Sequence, residues 1–472
     1  MEFSSFPKNL AYNIKTLSGF SKTTVKLTPD RPGTISHGST IKVKLPSNAI
    51  VDLRSFTMFM KGTASADALS SKMHFPRLSS SLIKTLAVYV NGTLIERIDN
   101  YNILYNKLYD LDGGGSDQTA KRFLENSDPS ISFSMNADHT AGTPTITAKA
   151  DSASDADKNM MVNNWLGFLS TCSCPCPDTN DLNNVEVEIT FADEKVLFAG
   201  ANAASVSAAP VVAGAKYDLD DVHFTISKIV FNDPLYYNLK ASKLLSSGLT
   251  LGYQTYIASR GAVVAKGASM NVLTTVNSTS LDQLVCCLQH EEQGITTLQL
   301  HGANNKISGK SFNEVYAAAL VAQGDESKFH STAGGLYNQS YYFKSDASGL
   351  VSSSVEINNT PLMPQPLDDA EVYNETLIGL GNLNQDMASG IHPGCLSLAH
   401  FLKYYFTHVI SLENIQQGDF YKSGLDGKSS ALNINWKMVF SSAATGSFVP
   451  HIFAKTTCMA QINEGHSVVV IV

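Results

Sequence analysis

The amino-acid sequence predicts an all-β protein composed of two β-sandwich domains in tandem. Apolar and polar residues alternate with a period of two in several segments, which is typical of strands with one buried face. Turns rich in Gly, Asn, Asp and Ser separate these segments at the spacing expected of a sandwich or barrel. With 472 residues, of which 43% are hydrophobic, the chain exceeds one ordinary core and suits two domains.

Four segments show the alternation most clearly, and each is expected to form a strand. Apolar side chains occupy every second position of Ile41–Leu45, Val185–Phe191 and Leu432–Phe440, with mainly polar residues between them. Val222–Ile226 follows the same pattern until the register breaks near Lys228, as it would at a β-bulge. Strands with one buried face are therefore predicted in both halves of the chain.

One β-hairpin is predicted together with its turn. Leu82–Val90 forms the first strand, and Thr93–Ile98 returns antiparallel to it. Asn91 and Gly92 between them are residues that readily take the two positive φ angles of a type I′ turn. The sequence therefore predicts a hairpin with a two-residue turn at this position.

Three short segments are periodic enough to predict helices. Tyr101–Leu108 has its apolar residues at i, i+3, i+4 and i+7, so that one face can close an end of a sandwich. Asp99 or Asn100 can cap the exposed amides of this helix. Capping or proline signals also precede Leu235–Leu245 and Phe312–Val321.

Changes in composition along the chain predict its division into domains. A segment of Ala, Val, Ser and Gly is expected to be a linker, and two stretches poor in large apolar residues are expected to be long loops. The predicted units are an N-terminal arm (residues 1–30), a first sandwich (31–198) with a long loop (113–171), a linker (199–214), and a second sandwich (215–472) with a long loop (301–345).

The charge distribution argues against direct, sequence-specific nucleic-acid binding. The formal net charge is −8, and the chain has no basic run or stripe of the kind that phosphate binding needs. Five cations near the N-terminus are spread out and indicate a solvated arm: Lys8, Lys15, Lys22, Lys26 and Arg31. The charged fraction of 16% is below the roughly 25% of ordinary soluble domains, which suits a surface covered by neighbouring subunits.

No secretion signal or membrane-spanning segment is evident in the sequence. The first twenty residues lack a compact apolar segment and a cleavage site of small residues. The longest apolar runs, Val315–Ala322 and Val468–Val472, are far shorter than the roughly 18 residues that span a bilayer. We therefore expect a protein that is synthesised inside a cell and is not secreted through a signal peptide.

The seven cysteines are expected to be free thiols. Cys172, Cys174 and Cys176 form a cluster, Cys286 and Cys287 are adjacent, and the other two stand alone. Zinc usually takes paired Cys-x2-Cys ligands with a second matching pair, which this spacing lacks. No metal ion or other cofactor is predicted, and the sequence leaves the role of the three-cysteine cluster open.

No catalytic, cofactor-binding or metal-binding residues are predicted, and we expect that the protein is not an enzyme. The chain has no Gly-x-Ser-x-Gly turn, no phosphate-binding loop and no His-Glu-x-x-His helix. Some adjacent acidic or aromatic residues could suggest chemistry, but neighbours in a strand point to opposite faces. The groups considered and set aside are His290-Glu291-Glu292, Asp220-Asp221, Asp368-Asp369, Tyr236-Tyr237, Tyr341-Tyr342 and Tyr404-Tyr405.

Two stretches carry a resemblance to a known family. Leu82–Asp110 contains the hairpin, its Asn-Gly turn and the start of the helix at Asn100–Leu104. Leu412–Phe440 contains an acidic, Gly-containing loop, Gln417–Asp426, that leads into a long alternating strand. In these features, and in its length, the chain resembles the double jelly-roll major capsid proteins of Polinton-like viruses, virophages and adintoviruses, distant relatives of the adenovirus hexon.

The resemblance implies a fold and a structural role. The fold is two tandem jelly-roll β-sandwiches, a double jelly roll, with a few short helices and long loops. Three chains would form a pseudo-hexagonal homotrimer, and trimers would tile the facets of an icosahedral DNA-virus shell, with penton and minor capsid proteins as further partners. Residues 113–171 and 301–345 would form outward towers and intersubunit contacts, and the arm would lie inside the virion. An internal membrane is left open.

Two other classes of protein remain as alternatives. A carbohydrate-binding or adhesion β-sandwich would be expected to carry a secretory signal, disulfides or a calcium loop. An enzyme on a jelly-roll scaffold would be expected to cluster histidines, or to hold separated carboxylates at strand ends. A viral protein with a single jelly roll is disfavoured by the length of 472 residues.

Overall fold

The structure is a computed structural model that describes most of the strands in both halves of the chain. The described residues are 20–47, 49–65, 72–76, 78–112, 131–134, 145–148, 156–200, 216–231, 249–265, 269–290, 341–343, 345–380, 398, 401–402, 405–413, 424–427, 431–441, 447–463 and 467–471.

The first half consists of thirteen described strands and three helices. The strands are β1 Phe20–Leu27, β2 Ile35–Ser36, β3 Thr40–Lys44, β4 Ile50–Ser65, β5 Lys72–His74, β6 Ile83–Val90, β7 Thr93–Asp99, β8 Ile131–Ser134, β9 Thr145–Ala148, β10 Lys158–Val162, β11 Val185–Phe191, β12 Phe198–Gly200 and β13 Lys216–Phe231. The helices are α1 Tyr101–Asp112, α2 Phe168–Thr171 and α3 Thr179–Leu182, with 3₁₀ turns at Ser79–Leu82 and Glu194–Val196.

The second half consists of ten described strands, one α-helix and one 3₁₀ turn. The strands are β14 Leu249–Arg260, β15 Val264–Ala265, β16 Met270–Val276, β17 Leu281–His290, β18 Leu350–Ile357, β19 Thr360–Pro361, β20 Thr407–Ser411, β21 Leu432–Phe440, β22 Ser447–Ile462 and β23 Val468–Ile471. The helix is α4 Asp369–Gly379, and the 3₁₀ turn is Tyr341–Phe343.

Two sheets build the first sandwich. One has the order β1-β13-β4-β10, with β2 also paired to β13, and the other has the order β3-β11-β6-β7. In the second of these sheets a row of buried side chains, Ile41, Ile189 and Leu86, crosses three paired strands. From the first sheet, Phe56 and Phe224 contribute stacked rings 5.2 Å apart to the same core. Because each strand turns alternate residues inward, the two sheets share one apolar interior.

The second sandwich repeats this arrangement. One sheet has the order β14-β22-β17-β20, with β15 and β23 also paired to β22, and the other has the order β16-β21-β18-β19. Trp436 is fully buried between its cross-strand neighbours Val272 and Val355. Its indole N–H donates to the hydroxyl of Ser353 at 3.2 Å, so that the polar atom of this large side chain has a partner inside the core.

The predicted strands and hairpin are present. The burial of β11 and β21 alternates along the strand as the sequence pattern indicated. Asn91 and Gly92 have φ angles of 48° and 78°, as a type I′ turn requires, and β6 pairs with β7 across them. The predicted helix is α1, and the backbone carbonyl of Asn100 accepts its first amide hydrogen bonds from Ile103 and Leu104.

Strand pairing corrects the predicted division of the chain. β13 was assigned to the second sandwich, whose predicted range begins at residue 215, but it pairs with β1, β2 and β4 of the first. That assignment is wrong for this strand, because alternation reveals that a strand exists but not which strand it joins. The expected bulge is real, with register shifts between Asp220 and His223 and between Thr225 and Ser227.

Three further segments are ordered where arms, loops or linkers were expected. The predicted arm of residues 1–30 is wrong for β1, which pairs with β13 along its whole length. The predicted long loop of residues 113–171 is wrong for β10, which extends the same sheet next to β4. The predicted linker is wrong at its first two residues, because β12 pairs with β5. Short strands with few inward apolar residues carry a weak alternation signal, which explains these errors.

Several predictions lie outside the described residues. They are the helices Leu235–Leu245 and Phe312–Val321, and nearly all of the second long loop. Among the helices that the structure does describe, none is long and apolar enough to cross a bilayer.

Replacing Gly92 by alanine tests the type I′ turn. Gly92 has nothing within 4 Å of the position that a Cβ would take, so the only cost of Gly92→Ala is its positive φ. We expect the free energy of unfolding to fall by about 1 kcal/mol in a urea titration. Asn91→Gly is the comparison variant, because glycine adopts the φ of 48° freely and the substitution removes an exposed hydrogen bond that the Asn91 side chain accepts from Asn183, so a smaller loss of stability is expected. Equal effects of the two substitutions would contradict the turn assignment.

Candidate functional site at the junction of the two sandwiches

The acidic pairs considered in the sequence have structural partners. The side chain of Asp220 accepts a hydrogen bond from the Thr34 hydroxyl at 2.5 Å, and that of Asp221 lies 3.8 Å from the Lys26 ammonium. These contacts connect β13 to neighbouring parts of the same sandwich. The pair therefore serves strand association.

The second acidic pair begins helix α4. Asp368 is the N-cap residue, and its carboxylate accepts the backbone N–H of Glu371 at 2.8 Å. The Glu371 carboxylate accepts the backbone N–H of Asp368 at 2.9 Å, which completes a capping box. The sequence contained this signal, Asp followed three residues later by Glu, but α4 was not predicted from it.

The remaining candidate groups are described only in part. His290 ends β17, and Glu291, Glu292, Tyr236, Tyr237 and Tyr404 lie outside the described residues. Tyr405 is buried in the core of the second sandwich, and the ring of Tyr342 packs edge-on against Phe343 at 5.0 Å. Within the described ranges, no three His, Cys, Asp or Glu side chains are grouped as a metal ion would require.

The six cysteines that the structure describes are free thiols. Burial raises the pKa of Cys172 to about 12, so this thiol stays protonated at neutral pH. Cys286 and Cys287 are adjacent in β17 and buried on opposite faces of their sheet, one in each of the two core clusters. Cys395 lies outside the described residues.

The two sandwiches are joined by hydrogen bonds along the edge of β14. The amide of Gln254 donates to the Thr171 hydroxyl at 2.9 Å, and that hydroxyl donates to the Gln254 carbonyl at 3.2 Å. The amide of Ser173 donates to the Gly252 carbonyl at 2.7 Å, and the Gly252 amide donates to the Ser173 hydroxyl at 3.0 Å. Residues 171–173 of the first half thereby satisfy backbone groups of a strand edge that would otherwise lack partners.

Two buried side chains reach across the junction. The Tyr253 hydroxyl donates to the carbonyl of Ile95 in β7 at 2.6 Å, and its ring packs edge-on against Phe168 at 5.3 Å. From the other side, the ammonium of Lys107 in α1 donates to the carbonyl of Phe343 at 2.5 Å. Because both side chains are almost fully buried, these bonds fix the two halves relative to each other in a water-poor environment.

A buried carboxyl group, that of Glu96 in β7, lies at the centre of this junction. Its Oε2 accepts the backbone N–H of Phe168 at 2.6 Å, and it packs so closely on Gly167 that a Cβ there would collide with both carboxyl oxygens. Burial raises the pKa of Glu96 to about 8, against the opposing effect of the hydrogen bond from the Phe168 amide. At neutral pH this side chain is therefore a protonated acid between two sandwiches.

Sequence reasoning did not find the residues of the junction. Glu96 occupies a position in β7 next to the buried Ile95, where strict alternation would turn one of the two to solvent. The reason is a register shift at Val88 and Tyr89 in the paired strand, which the sequence does not announce. Lys107 and Tyr253 gave no signal either, because their partners are backbone carbonyls distant in sequence.

Glu96→Gln tests whether the junction is sensitive to pH. The pKa of Glu96 rises on folding from about 4.5 to about 8, so its contribution to stability is full below pH 4.5 and is lost as the pH rises through 8. Between pH 6.5 and pH 8 the wild-type protein should lose about 2 kcal/mol of unfolding free energy that Glu96→Gln retains. Urea unfolding at several pH values measures this difference.

Two buried histidines set the lower limit of the pH range for that experiment, and a surface glutamate provides its control. Burial lowers the pKa of His408 and of His451 to about 3, so these side chains reduce stability only below about pH 6.5, as the unfolded chain takes up protons. Glu188→Gln, on the outer face of β11, is a surface control that should keep the wild-type slope. If Glu96→Gln also keeps that slope, Glu96 is not a neutral acid in the folded protein.

Comparison with solved structures gives the fold of the whole chain. PBCV-1 VP54, fitted into a cryo-EM reconstruction of the virophage Sputnik, is 11% identical and has a TM-score of 0.59, with 96% of this chain and 97% of that chain covered. The Faustovirus major capsid protein is 9% identical with a TM-score of 0.56, and 97% and 92% are covered. The Sputnik virophage structure is 10% identical with a TM-score of 0.53, and 96% and 89% are covered.

These comparisons establish an architecture rather than a close relative. No protein family model and no curated protein matches the chain in sequence. The proteins of similar structure are structural components of viral capsids, not enzymes. The chain therefore has the all-β, double jelly-roll fold of viral major capsid proteins, as the resemblance in its sequence predicted.

Proposed function

We propose that this protein is the major capsid protein of an icosahedral DNA virus. The observation that carries the proposal is a double jelly-roll fold that spans 96% of the chain and 97% of PBCV-1 VP54. Both sandwiches and the junction between them fall within this match. A protein with this role resides in the virion, with neighbouring copies of itself as its main partners.

We propose the homotrimer as the unit of assembly. The bonds of the junction hold the two sandwiches of one chain as a single block, through Thr171, Ser173 and Tyr253. Three such blocks around a threefold axis place six similar sandwiches in a ring, whose outline is close to a hexagon. Hexagonal units tile a flat facet without gaps, which is what a shell of large icosahedral facets needs.

The outer face of the second sandwich carries an apolar side chain that supports contacts between copies. Both outer faces have ion pairs, Lys42–Glu188 at 2.9 Å and Lys44–Glu186 at 3.2 Å on the first sandwich and Lys437–Glu356 on the second. The second also carries Leu273 of β16, which is 71% exposed. We propose that the face around Leu273 is covered by the next copy in the trimer.

Other parts of the assembly remain predictions. Penton and minor capsid proteins are proposed partners at the vertices and inside the shell. The long loops of residues 113–171 and 301–345 are proposed to form towers and intersubunit contacts, apart from β10 and the short helix α2, which lie within the first sandwich. The boundary between the sandwiches is proposed to lie between the end of β13 at Phe231 and the start of β14 at Leu249.

Native mass spectrometry and negative-stain electron microscopy of the purified full chain test the proposed trimer. We expect a species of three times 50.8 kDa with a hexagonal outline. A protein that stays monomeric under conditions that preserve particles would sink the proposal. Binding of oligosaccharides by such a monomer would favour the adhesion-module alternative instead.

Leu273→Asp tests the contact face separately from the fold. A carboxylate buried at a subunit interface without a partner should raise the trimer dissociation constant at least about tenfold. Leu94→Asp is the matched control, since Leu94 is an exposed leucine of β7 in the first sandwich and lies off the face of β16. Trimers that tolerate both substitutions equally would place the contact elsewhere, and unchanged melting temperatures would confirm that the sandwiches remain folded.

A further inference from the structure

A cavity of about 520 Å³ opens between the two sandwiches. Ligand sites in proteins commonly have volumes of roughly 300–1,000 Å³ and occur at domain interfaces. One wall comes from the first half, with Tyr105 and Tyr109 of α1 and Trp165 before α2. The opposite wall comes from the second half and includes Asp282 and Glu413. Neither sandwich alone forms the cavity.

The wall from the first half is aromatic and held in place by its surroundings. The rings of Tyr105 and Tyr109 are stacked with centroids 6.0 Å apart, and Tyr101 continues the stack towards the core at 5.8 Å from Tyr105. The indole N–H of Trp165 donates to the Phe56 carbonyl at 2.8 Å, which fixes its orientation. Aromatic faces carry negative potential and attract organic cations at close range.

The wall from the second half contains a carboxylate that is almost fully buried. Asp282 is 1% exposed, and its two oxygens accept hydrogen bonds from the hydroxyls of Ser280 at 2.6 Å and Thr457 at 2.5 Å. Both of these partners are neutral, so they orient the carboxylate without balancing its charge. A buried carboxylate of this kind is stabilised further by a cation within reach.

The charges that face the cavity leave it negative. Glu413 and Asp282 are the two acidic residues of the described lining, and Lys455 is its one basic residue. Burial raises the pKa of Glu413, with Lys455 lowering it and Asp282 raising it further, which places all three charges within electrostatic reach of one another. Glu413 and Lys455 thus face the space, and the buried carboxylate of Asp282 lies in the wall behind them and adds negative potential.

We propose that this cavity binds an organic cation, an alkylammonium or guanidinium group, between the tyrosine rings of α1 and the carboxylate of Glu413, with Asp282 in the wall behind. The cation supplies a second positive charge, which the described part of the lining lacks, and its alkyl or planar part packs against the aromatic wall. The same chemistry is available from a free polyamine and from a lysine or arginine side chain of another protein. This inference does not depend on the capsid role.

Isothermal titration of the full-length protein at low ionic strength tests the site with two probes. Spermidine represents the free polyamine, and the blocked peptide acetyl-Gly-Arg-Gly-amide represents a protein side chain. We expect saturable binding of at least one probe with one site per chain. The probe that binds more tightly identifies the source of the cation.

Two substitutions with opposite expected effects identify the cavity as the binding site. Glu413→Gln removes a negative charge and should weaken binding about fivefold, while Lys455→Met removes the competing ammonium group and should strengthen it by a similar factor. Glu375→Gln is the matched control, because Glu375 is also a half-buried carboxyl with a raised pKa but does not line the cavity. A gain of affinity in Lys455→Met cannot result from misfolding.

Two outcomes would contradict the proposed cation site. Absence of saturable binding of both probes up to about 10 mM would overturn the proposal, since such a site would contribute less than about 3 kcal/mol. So would weaker binding of both probes by a Lys455→Met variant whose melting temperature is unchanged, because loss of a positive charge from the lining should not weaken binding of a cation there. If cation binding persists in a protein that forms no trimers, the capsid proposal fails while this one stands.

Discussion

The hydrogen bonds along the edge of β14 are the constraint on which the arrangement of the two sandwiches depends. A strand at the edge of a sheet exposes backbone groups that must find partners, either in water or in another segment. Here the partners of Gly252 and Gln254 are Ser173 and Thr171, which belong to the other sandwich. Tyr253, between them, points the other way and bonds to the Ile95 carbonyl. Three consecutive residues of one strand therefore bind the first half, two through the backbone at the strand edge and one through its side chain.

The burial that these contacts produce determines the protonation state of the side chains enclosed in the junction. Glu96 has the backbone amide of Phe168 and the hydroxyl of Thr255 against it, and burial is the largest influence on its pKa. A protonated acid costs much less to enclose than an isolated carboxylate, so the folded state binds a proton near neutral pH. The lining of the cavity differs from the junction in this respect. There the negative charge of Asp282 is balanced only in part, by the ammonium group of Lys455. The junction is thus both the mechanical and the electrostatic centre of the chain.

The sequence predicted local structure well and long-range pairing poorly, for a physical reason. The Asn91-Gly92 turn and the alternation of β11 and β21 depend on neighbours in sequence, and all three are as expected. The partners of β13 are strands distant in sequence, and no local pattern encodes which strands those are. For this reason β13 was assigned to the wrong sandwich. Glu96 was missed for a related reason, since a β-bulge at Ile95 of β7, where the pairing with β6 shifts register, turned Glu96 inward. The two jelly rolls themselves were recognised from resemblance rather than from pairing.

The unlike outer faces of the two sandwiches bear on why both are carried by one chain. In a cyclic trimer every interface is heterologous, so one face of each copy meets a different face of the next. A ring of six identical sandwiches would have to use a single pair of faces throughout, whereas two sandwiches in one chain can differ in sequence. Leu273 is such a difference, because it is 71% exposed, whereas the most exposed large apolar side chain among the described residues of the first sandwich, Leu94, is 43% exposed. If three copies assemble as we propose, substitutions can change the contacts between chains without changing those within a chain. The junction at β14 keeps the two sandwiches of each chain in place while the contacts between chains form.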